Sequence, residues 1–465
     1  MSGNVQRIAG SFRDPSGFVF IQNNEIFRYV SPKYGEHYRL LMESGLYREL
    51  AETGYIVPHR EVPKKNYTYT DAYKIIKPEK IPFISYPYEW CFSQLKDAAL
   101  ALLHIQKRAF EFGMTLRDAS AYNMQFVQGK PLLMDTLSFE RYNPGAPWTA
   151  YRQFCQHFLA PLALMSSRNG SLGRLLSCYI DGIPLDIASA LLPASGRLKG
   201  GQLIHIHLHA KSQARYSGQS DVSRHIRGTV GRNAYLGLID SLESAVKKMG
   251  LKKSRTTWDN YYEEHNYSGR SFEEKRRIVS EYIDTLKPAS LWDMGANRGE
   301  FSRLASGRGI PTIAFDMDHN AVEQNYLHLK EHGETQILPL VQDLATPSAD
   351  IGWHNKERAS LIARGPADTA LALALVHHLA IGNNVPLEDI AAYFADICRS
   401  LIIEFVPKSD SQVQRLLQNR EDIFDRYDIE SFKKDFSRFF TITKSQQIQG
   451  TERTLFLMKR KKGGK

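Results

Sequence analysis

The chain has 465 residues, 42% of them apolar, which is enough for real cores and predicts two or three domains rather than one. Its longest apolar stretch, "TALALALV", is far too short to span a bilayer, and the opening "MSGNVQRIAGSFRDPSG" has no secretory apolar region, so a cytoplasmic protein without a membrane span is expected. Four scattered cysteines without a CxxC pair exclude a zinc ribbon and a disulfide framework. The net charge of +10 admits a nucleic-acid partner, but no groove-reading motif accompanies it, and surplus surface lysine and arginine, part of it in the tail "KRKKGGK", is the favoured reading.

No internal repeat is visible. "GFVFIQNNEIFRYV" predicts two strands around an Asn-Asn turn. "GEHYRLLMESGLYRELAETG" has apolar residues at helical spacing and a glycine stop. "YIVPHREV" and "IPFISYPYEW" read as extended, and "FSQLKDAALALLHIQKRAFEFG" as a strong amphipathic helix. In "LRDASAYNMQF" and "PLLMDTLSF", Asp118 and Asn123 stand five apart and Asp135 follows twelve later. That spacing resembles the catalytic loop and metal-binding aspartate of protein-kinase-like phosphotransferases. The resemblance implies a base at Asp118 and magnesium on Asn123 and Asp135. It lacks two parts: Gly17 stands alone where a glycine-rich loop is needed, and Arg28 sits roughly where the strand lysine belongs. Residues 1–165 are therefore expected to form an α+β domain, either a degenerate kinase-like fold serving binding or scaffolding, or another α+β fold that matches this spacing by chance.

Residues 166–254 read as a mostly helical connector. His205, His207 and His209 alternate in "LIHIHLHAKSQARYS" and would share one face of a strand. No carboxylate or cysteine joins them nearby, so no metal site is assigned.

From 255 to 465, apolar strands at 289–293, 311–316, 337–341, 368–376 and 400–406 alternate with helical segments, predicting an open, mostly parallel α/β sheet. In "LWDMGANRGEFSRLA" a strand, a glycine turn and a helix follow one another. Such a turn presents a ligand to a helix N-terminus. A dinucleotide needs G-x-G-x-x-G, but the register from Gly295 has Asn297 and Glu300 at the second and third glycines. Carboxylates at Asp293 and Glu300 would also repel a pyrophosphate. S-adenosylmethionine carries an ammonium and a sulfonium, so Asp293 suits its methionine end while Gly295 and Gly299 admit close backbone approach. "TIAFDMD" places Asp316 twenty-one residues after Gly295, positioned to accept ribose hydroxyls, and "LPLVQDLATP" offers Asp343 to the adenine amino group.

These motifs, taken in order and spacing, resemble the class I S-adenosylmethionine-dependent methyltransferases. Asn297 stands where that family usually has a third glycine. The flank "TWDNYYEEHNYSGRSFEEKRR" is similar to that of NoeA-type nodulation-protein methyltransferases. The resemblance implies a Rossmann-like seven-stranded sheet closed by a hairpin in "FFTITKSQQIQGTERTLFLMKRK", with S-adenosylmethionine held by Asp293, Gly295, Asn297, Gly299, Asp316 and Asp343. His377 and His378, read as ending the fourth strand, are the candidate proton acceptors. Glu404 ends the fifth strand; Asn383 and Asn384 line an acceptor pocket or form a turn; Tyr261, Tyr262, Asn266 and Tyr267 fold over the ligand or pack. The leading function is methyl transfer to an acceptor that is a small molecule, carbohydrate, protein or RNA. The rivals are a phosphotransferase with a regulatory S-adenosylmethionine-binding domain, and a non-catalytic binding scaffold.

Overall fold

A computed structural model of the chain describes residues 5–193, 205–206, 229–251, 269–418 and 420–462. Its contacts divide into two compact units, Met1–Lys253 with Ile351–Arg358, and Ser254–Asp350 with Ala359–Lys465. The segment read as a connector thus falls, up to Lys253, within the first unit. No helix among the described residues is long and apolar enough to cross a membrane.

The first unit is α+β, an antiparallel sheet followed by a helical part. Strands β1 (Val5–Arg7), β2 (Gly17–Gln22), β3 (Glu25–Val30), β4 (His59–Val62) and β5 (Lys74–Pro78) form a sheet ordered β1-β2-β3-β5-β4. The β2–β3 turn works because Asn23 and Asn24 both take left-handed backbone, with φ of 53° and 62°, which asparagine tolerates best after glycine. Opposite residues then pair across the hairpin: Phe20 lies against Phe27, and Phe18 stacks on Tyr29 with ring centroids 4.7 Å apart. The long helix forms as expected, Phe92–Glu111, and buries Leu95, Ala99, Leu102 and Gln106 along one stripe. Gln106 donates to the Tyr235 hydroxyl at 2.9 Å, tying this helix to Arg232–Lys248. Two short antiparallel pairs follow the long helix, β6 (Met114–Leu116) with β9 (Phe139–Arg141) and β7 (Met124–Val127) with β8 (Lys130–Leu133).

Two extended or continuous readings are corrected. The helical stretch after residue 35 is two helices, Gly35–Glu43 and Leu46–Glu52, because Gly45 has φ of 88° between them. "IPFISYPYEW" is irregular apart from a short helical turn at Pro87–Glu89; the Gln125 side chain supplies both partners of the Ser85 backbone, at 3.0 and 2.8 Å, where a strand would have.

The second unit is the seven-stranded sheet. Its strands are β10 (Leu291–Met294), β11 (Thr312–Asp316), β12 (Ile337–Val341), β13 (Ala367–Ala372), β14 (Cys398–Phe405), β15 (Phe440–Gln447) and β16 (Thr454–Arg460). Their order is β12-β11-β10-β13-β14-β16-β15, parallel except for β16, which is antiparallel to both neighbours. The strand order reverses between β10 and β13, which opens a crevice at their carboxyl ends. All four residues of β10, Asp293 included, are buried, so this strand is covered on both faces. Helix Gly269–Leu286 packs Ile278, Val279, Tyr282 and Ile283 against Leu371, Ile402 and Leu457 of three strands.

The fourth strand is shorter than expected and stops at Ala372. Ala374 has φ of 49°, a left-handed conformation that no strand can continue, and its N–H is held by the Glu404 carboxylate at 2.8 Å. His377 and His378 therefore do not end β13. They sit beyond it, in a short helical segment that runs to Gly382.

Candidate functional site

A cavity of about 270 Å³ lies at the carboxyl ends of β10, β11, β12 and β13. Asp293, Gly295, Asn297, Asp316, Asp343 and His378 all line it. Residues drawn from four separate motifs thus meet at one place because each lies at or beyond the carboxyl end of a neighbouring parallel strand.

The turn after β10 requires its unusual residues. Gly295 and Gly299 both have φ of 83°, and a Cβ on Gly299 would stand 2.7 Å from the Asn325 side-chain nitrogen. Asn297 has φ of 50°, so asparagine replaces the familiar third glycine at a position that still needs left-handed backbone. Its Oδ1 accepts from the Arg298 N–H at 2.9 Å, and its own N–H donates to Asp316 Oδ2 at 2.7 Å. The glycine turn and the end of β11 are thereby fastened to each other.

The carboxylates differ in environment. Asp293 is 2% exposed, and burial pushes its pKa up to about 6, although the Ser302 hydroxyl donates to it at 2.6 Å. Asp316 is also raised to about 6, first by burial, against the N–H groups of Asp318 and Asn297 that favour its charged form. Asp343 is tied locally, accepting from the Ala345 N–H and the Thr346 hydroxyl, both at 2.9 Å. Two acids of raised pKa in one cavity mark a place where a cation or hydroxyl donors would be welcome.

The histidines separate. His378 lines the cavity, whereas His377 is 1% exposed and is not part of the lining. The two rings lie 4.1 Å apart. Burial brings His378 down to about 4, with the charge of Arg453 adding to it. His377 is lowered further, by burial first and then by His378, Arg453 and Lys275. Both imidazoles are neutral near pH 7. Asn383 lines the cavity and donates to the His378 carbonyl at 2.9 Å, while Asn384 adopts left-handed backbone with φ of 57°.

Lys275 is a charged lining residue that sequence reasoning missed. It sits in "EEKRR", which looks like a solvated face, yet it is 3% exposed and pairs with Glu404 at 2.7 Å. Its ammonium also lies 4.8 Å over the Phe301 ring. The signal was its spacing: 271, 275, 278, 279, 282 and 283 form the buried stripe of this helix. Glu404, 0% exposed, joins Lys275, the Ala374 N–H and Arg453, which stands 3.6 Å away.

His205 accepts or donates to Tyr151 at 2.6 Å and Ser241 at 3.0 Å; His207 and His209 lie outside the described residues, as do Tyr261, Tyr262, Asn266 and Tyr267. Among the described residues no group of three or more histidine, cysteine or acidic side chains could hold a metal.

The order β12-β11-β10-β13-β14-β16-β15, with a glycine turn and acids at the crevice, defines the second unit as a class I methyltransferase fold. No protein-family model matches the chain. It is 33% identical over 464 residues to nodulation protein NoeA of Rhizobium meliloti (strain 1021), across 98% of this chain and 96% of that protein. The chain belongs to the NoeA family. Among solved structures it is similar to the bifunctional kinase-methyltransferase WbdD, at 13% identity and a TM-score of 0.31, over 44% of this chain and 43% of that one. It is also similar to magnesium protoporphyrin IX methyltransferase from Synechocystis PCC 6803, at 18% identity and a TM-score of 0.32, over 44% of this chain and 92% of that one. For N-methyltransferase NodS from Bradyrhizobium japonicum WM9 the figures are 10%, 0.31, 42% and 99%.

Proposed function

We propose that this chain is an S-adenosylmethionine-dependent methyltransferase whose cofactor occupies the cavity at the ends of β10 to β13. The observation that carries this reading is the lining itself: Asp293, Asp316 and Asp343 beside left-handed Gly295 and Asn297, with Gly299 in the same turn but outside the lining. Three carboxylates oppose a pyrophosphate and favour a ligand bearing positive charge and hydroxyls. Asp293 is assigned to the cationic methionine end, Asp316 to the ribose and Asp343 to the adenine amino group. When bound, the cofactor supplies a methyl group already activated by its sulfonium.

The chain's own contribution is alignment and proton handling. Glu404 holds the Ala374 turn, and that turn carries Leu375 and His378 into the lining. His378 and Asn383 are the polar lining groups on the segment that follows β13, and we assign them to the acceptor. A neutral His378 is poised to accept a hydrogen bond from the acceptor's nucleophilic atom. With so low a pKa it takes the proton only as the nucleophile becomes acidic during transfer. The acceptor is a small molecule, a carbohydrate, a protein or an RNA.

Calorimetric titration of the ligand-free chain with S-adenosylmethionine, S-adenosylhomocysteine, NAD and ATP tests the reading. Binding of the first two is expected. Binding of NAD in their place would overturn it.

A further inference from the structure

The kinase-like resemblance of the first unit implies a divalent cation on Asp135 and Asn123, and the residues present can be tested against that demand. Magnesium requires near-octahedral oxygen ligands at about 2.0–2.1 Å and an anionic site. Asp135 is instead paired with Arg28, whose NH2 lies 2.6 Å from its Oδ1. The same oxygen accepts the Leu137 N–H at 2.8 Å. The two side chains are 12% and 10% exposed, so the pair is shielded from water. Asp14 stands 3.6 Å from the same guanidinium nitrogen and takes Arg117 NH2 at 2.8 Å on its other oxygen. Arg117 in turn is fixed by the Leu137 carbonyl at 3.1 Å. Asn123 spends its amide on neighbours, donating to the Ser138 hydroxyl at 3.4 Å and bonding Asp118.

A separate observation concerns the phosphates such a cation would accompany. A loop that covers them needs glycine for close approach of backbone to ligand. Gly17 is needed for another purpose. A Cβ there would collide with the Tyr29 carbonyl oxygen across the β2–β3 ladder and lie 2.7 Å from Leu137 Cδ1. Its missing side chain is what lets β2 seat against β3.

We infer that Arg28 occupies, as a permanent internal cation, the place a divalent metal would take in this unit, so that the kinase-like site holds neither magnesium nor a magnesium nucleotide. A second cation beside the guanidinium would be repelled in a site sheltered from solvent, and Asp135 has already given one oxygen to two donors. The unit then serves as a rigid α+β module and not as a phosphotransferase.

The full-length chain can be titrated with Mn²⁺ alone and with Mn²⁺ and ATP, reading bound manganese by electron paramagnetic resonance. The wild type and the double variant Arg28→Gln/Asp135→Asn, a neutral pair of similar shape, should give superimposable curves. Arg28→Gln alone frees the Asp135 carboxylate and should tighten Mn²⁺ binding at least tenfold. Adding Asp135→Asn should abolish that gain, which separates it from manganese bound by the acids of the second unit. The inference is overturned if the wild type binds Mn²⁺ with ATP tenfold or more tightly than the double variant. It is equally overturned if folded Arg28→Gln gains nothing. Should Arg28→Gln fail to fold, the wild-type and double-variant curves decide alone: coincidence upholds the inference and a tenfold difference overturns it.

Discussion

Replacing Asp293 by asparagine should make the ligand-free protein more stable at pH 8 while removing its response to cofactor. The carboxylate has an ordinary pKa of 3.8 and one of about 6 in the fold, raised chiefly by burial. The shift is about two pH units, and each unit is about 1.4 kcal/mol. Keeping Asp293 ionised in the native state therefore costs about 3 kcal/mol at neutral pH and above. The native state holds the proton more tightly than the unfolded chain. Wild-type stability thus falls as pH climbs from 3.8 through 6, and levels off beyond. Asparagine keeps the shape, can still accept from the Ser302 hydroxyl, and has no charge to bury. Lys275 is not stranded by the change, because Glu404 at 2.7 Å remains its partner. The variant should gain about 2–3 kcal/mol at pH 8, and the gain should shrink towards pH 4. Hydrogen exchange of the β10 amides, followed at several pH values, reports on the second unit alone. Saturating S-adenosylmethionine should slow that exchange in the wild type and not in the variant. A variant that is less stable at every pH, or whose advantage does not vary with pH, would refute the reasoning, since then burial of the charge is not what Asp293 costs the fold.

The raised acids also predict that S-adenosylmethionine affinity falls as pH drops through about 6, up to tenfold per pH unit for each carboxylate required ionised, with protons released on binding. Titration calorimetry in two buffers of different ionisation enthalpy measures that release, and affinity flat from pH 5 to 8 would contradict it. Gly299→Ala puts a Cβ 2.7 Å from the Asn325 amide on backbone of φ 83°, so it should cost roughly 1–3 kcal/mol and weaken cofactor binding more than tenfold in the same titration. His378→Ala should lower turnover by about 10²-fold, the low end for a base, with cofactor affinity unchanged. His377→Ala should instead lower the melting temperature; equal effects of both on turnover would remove the distinction drawn from the cavity lining.

The two units were legible in the sequence to different depths, for physical reasons. In the second, the central parallel strands are largely buried on both faces, so they read as mostly apolar runs, and three of them carry an acid at or just past their carboxyl ends. Asp293, Asp316 and Asp343 could be found because a strand end is a local property. Asn297 could be found as well, because left-handed backbone selects asparagine by its own side chain. Ala374 could not. Alanine has no preference for φ of 49°, and what holds it there is Glu404, thirty residues on in the chain. The strand was therefore read four residues too long, and His377 was brought to an edge it does not reach.

The same distinction hid the roles of Arg28 and Lys275. Each is a cation whose meaning depends on an acid more than a hundred residues away, Asp135 for one and Glu404 for the other. A charge on a strand or a helix is by itself a solvated charge. Lys275 betrayed itself only by falling on the buried stripe of its helix, and Arg28, alternating on a half-covered sheet, gave no such sign. A buried ion pair contributes little net stability, because desolvating both charges offsets their attraction. Removing one partner is another matter, since the charge left behind stays buried without a counterpart. Pairs of this kind hold a structure to one arrangement more than they strengthen it. Lys275 with Glu404 fixes the turn that shapes the cavity wall. Arg28 with Asp135 ties β3 to the segment around Asp135.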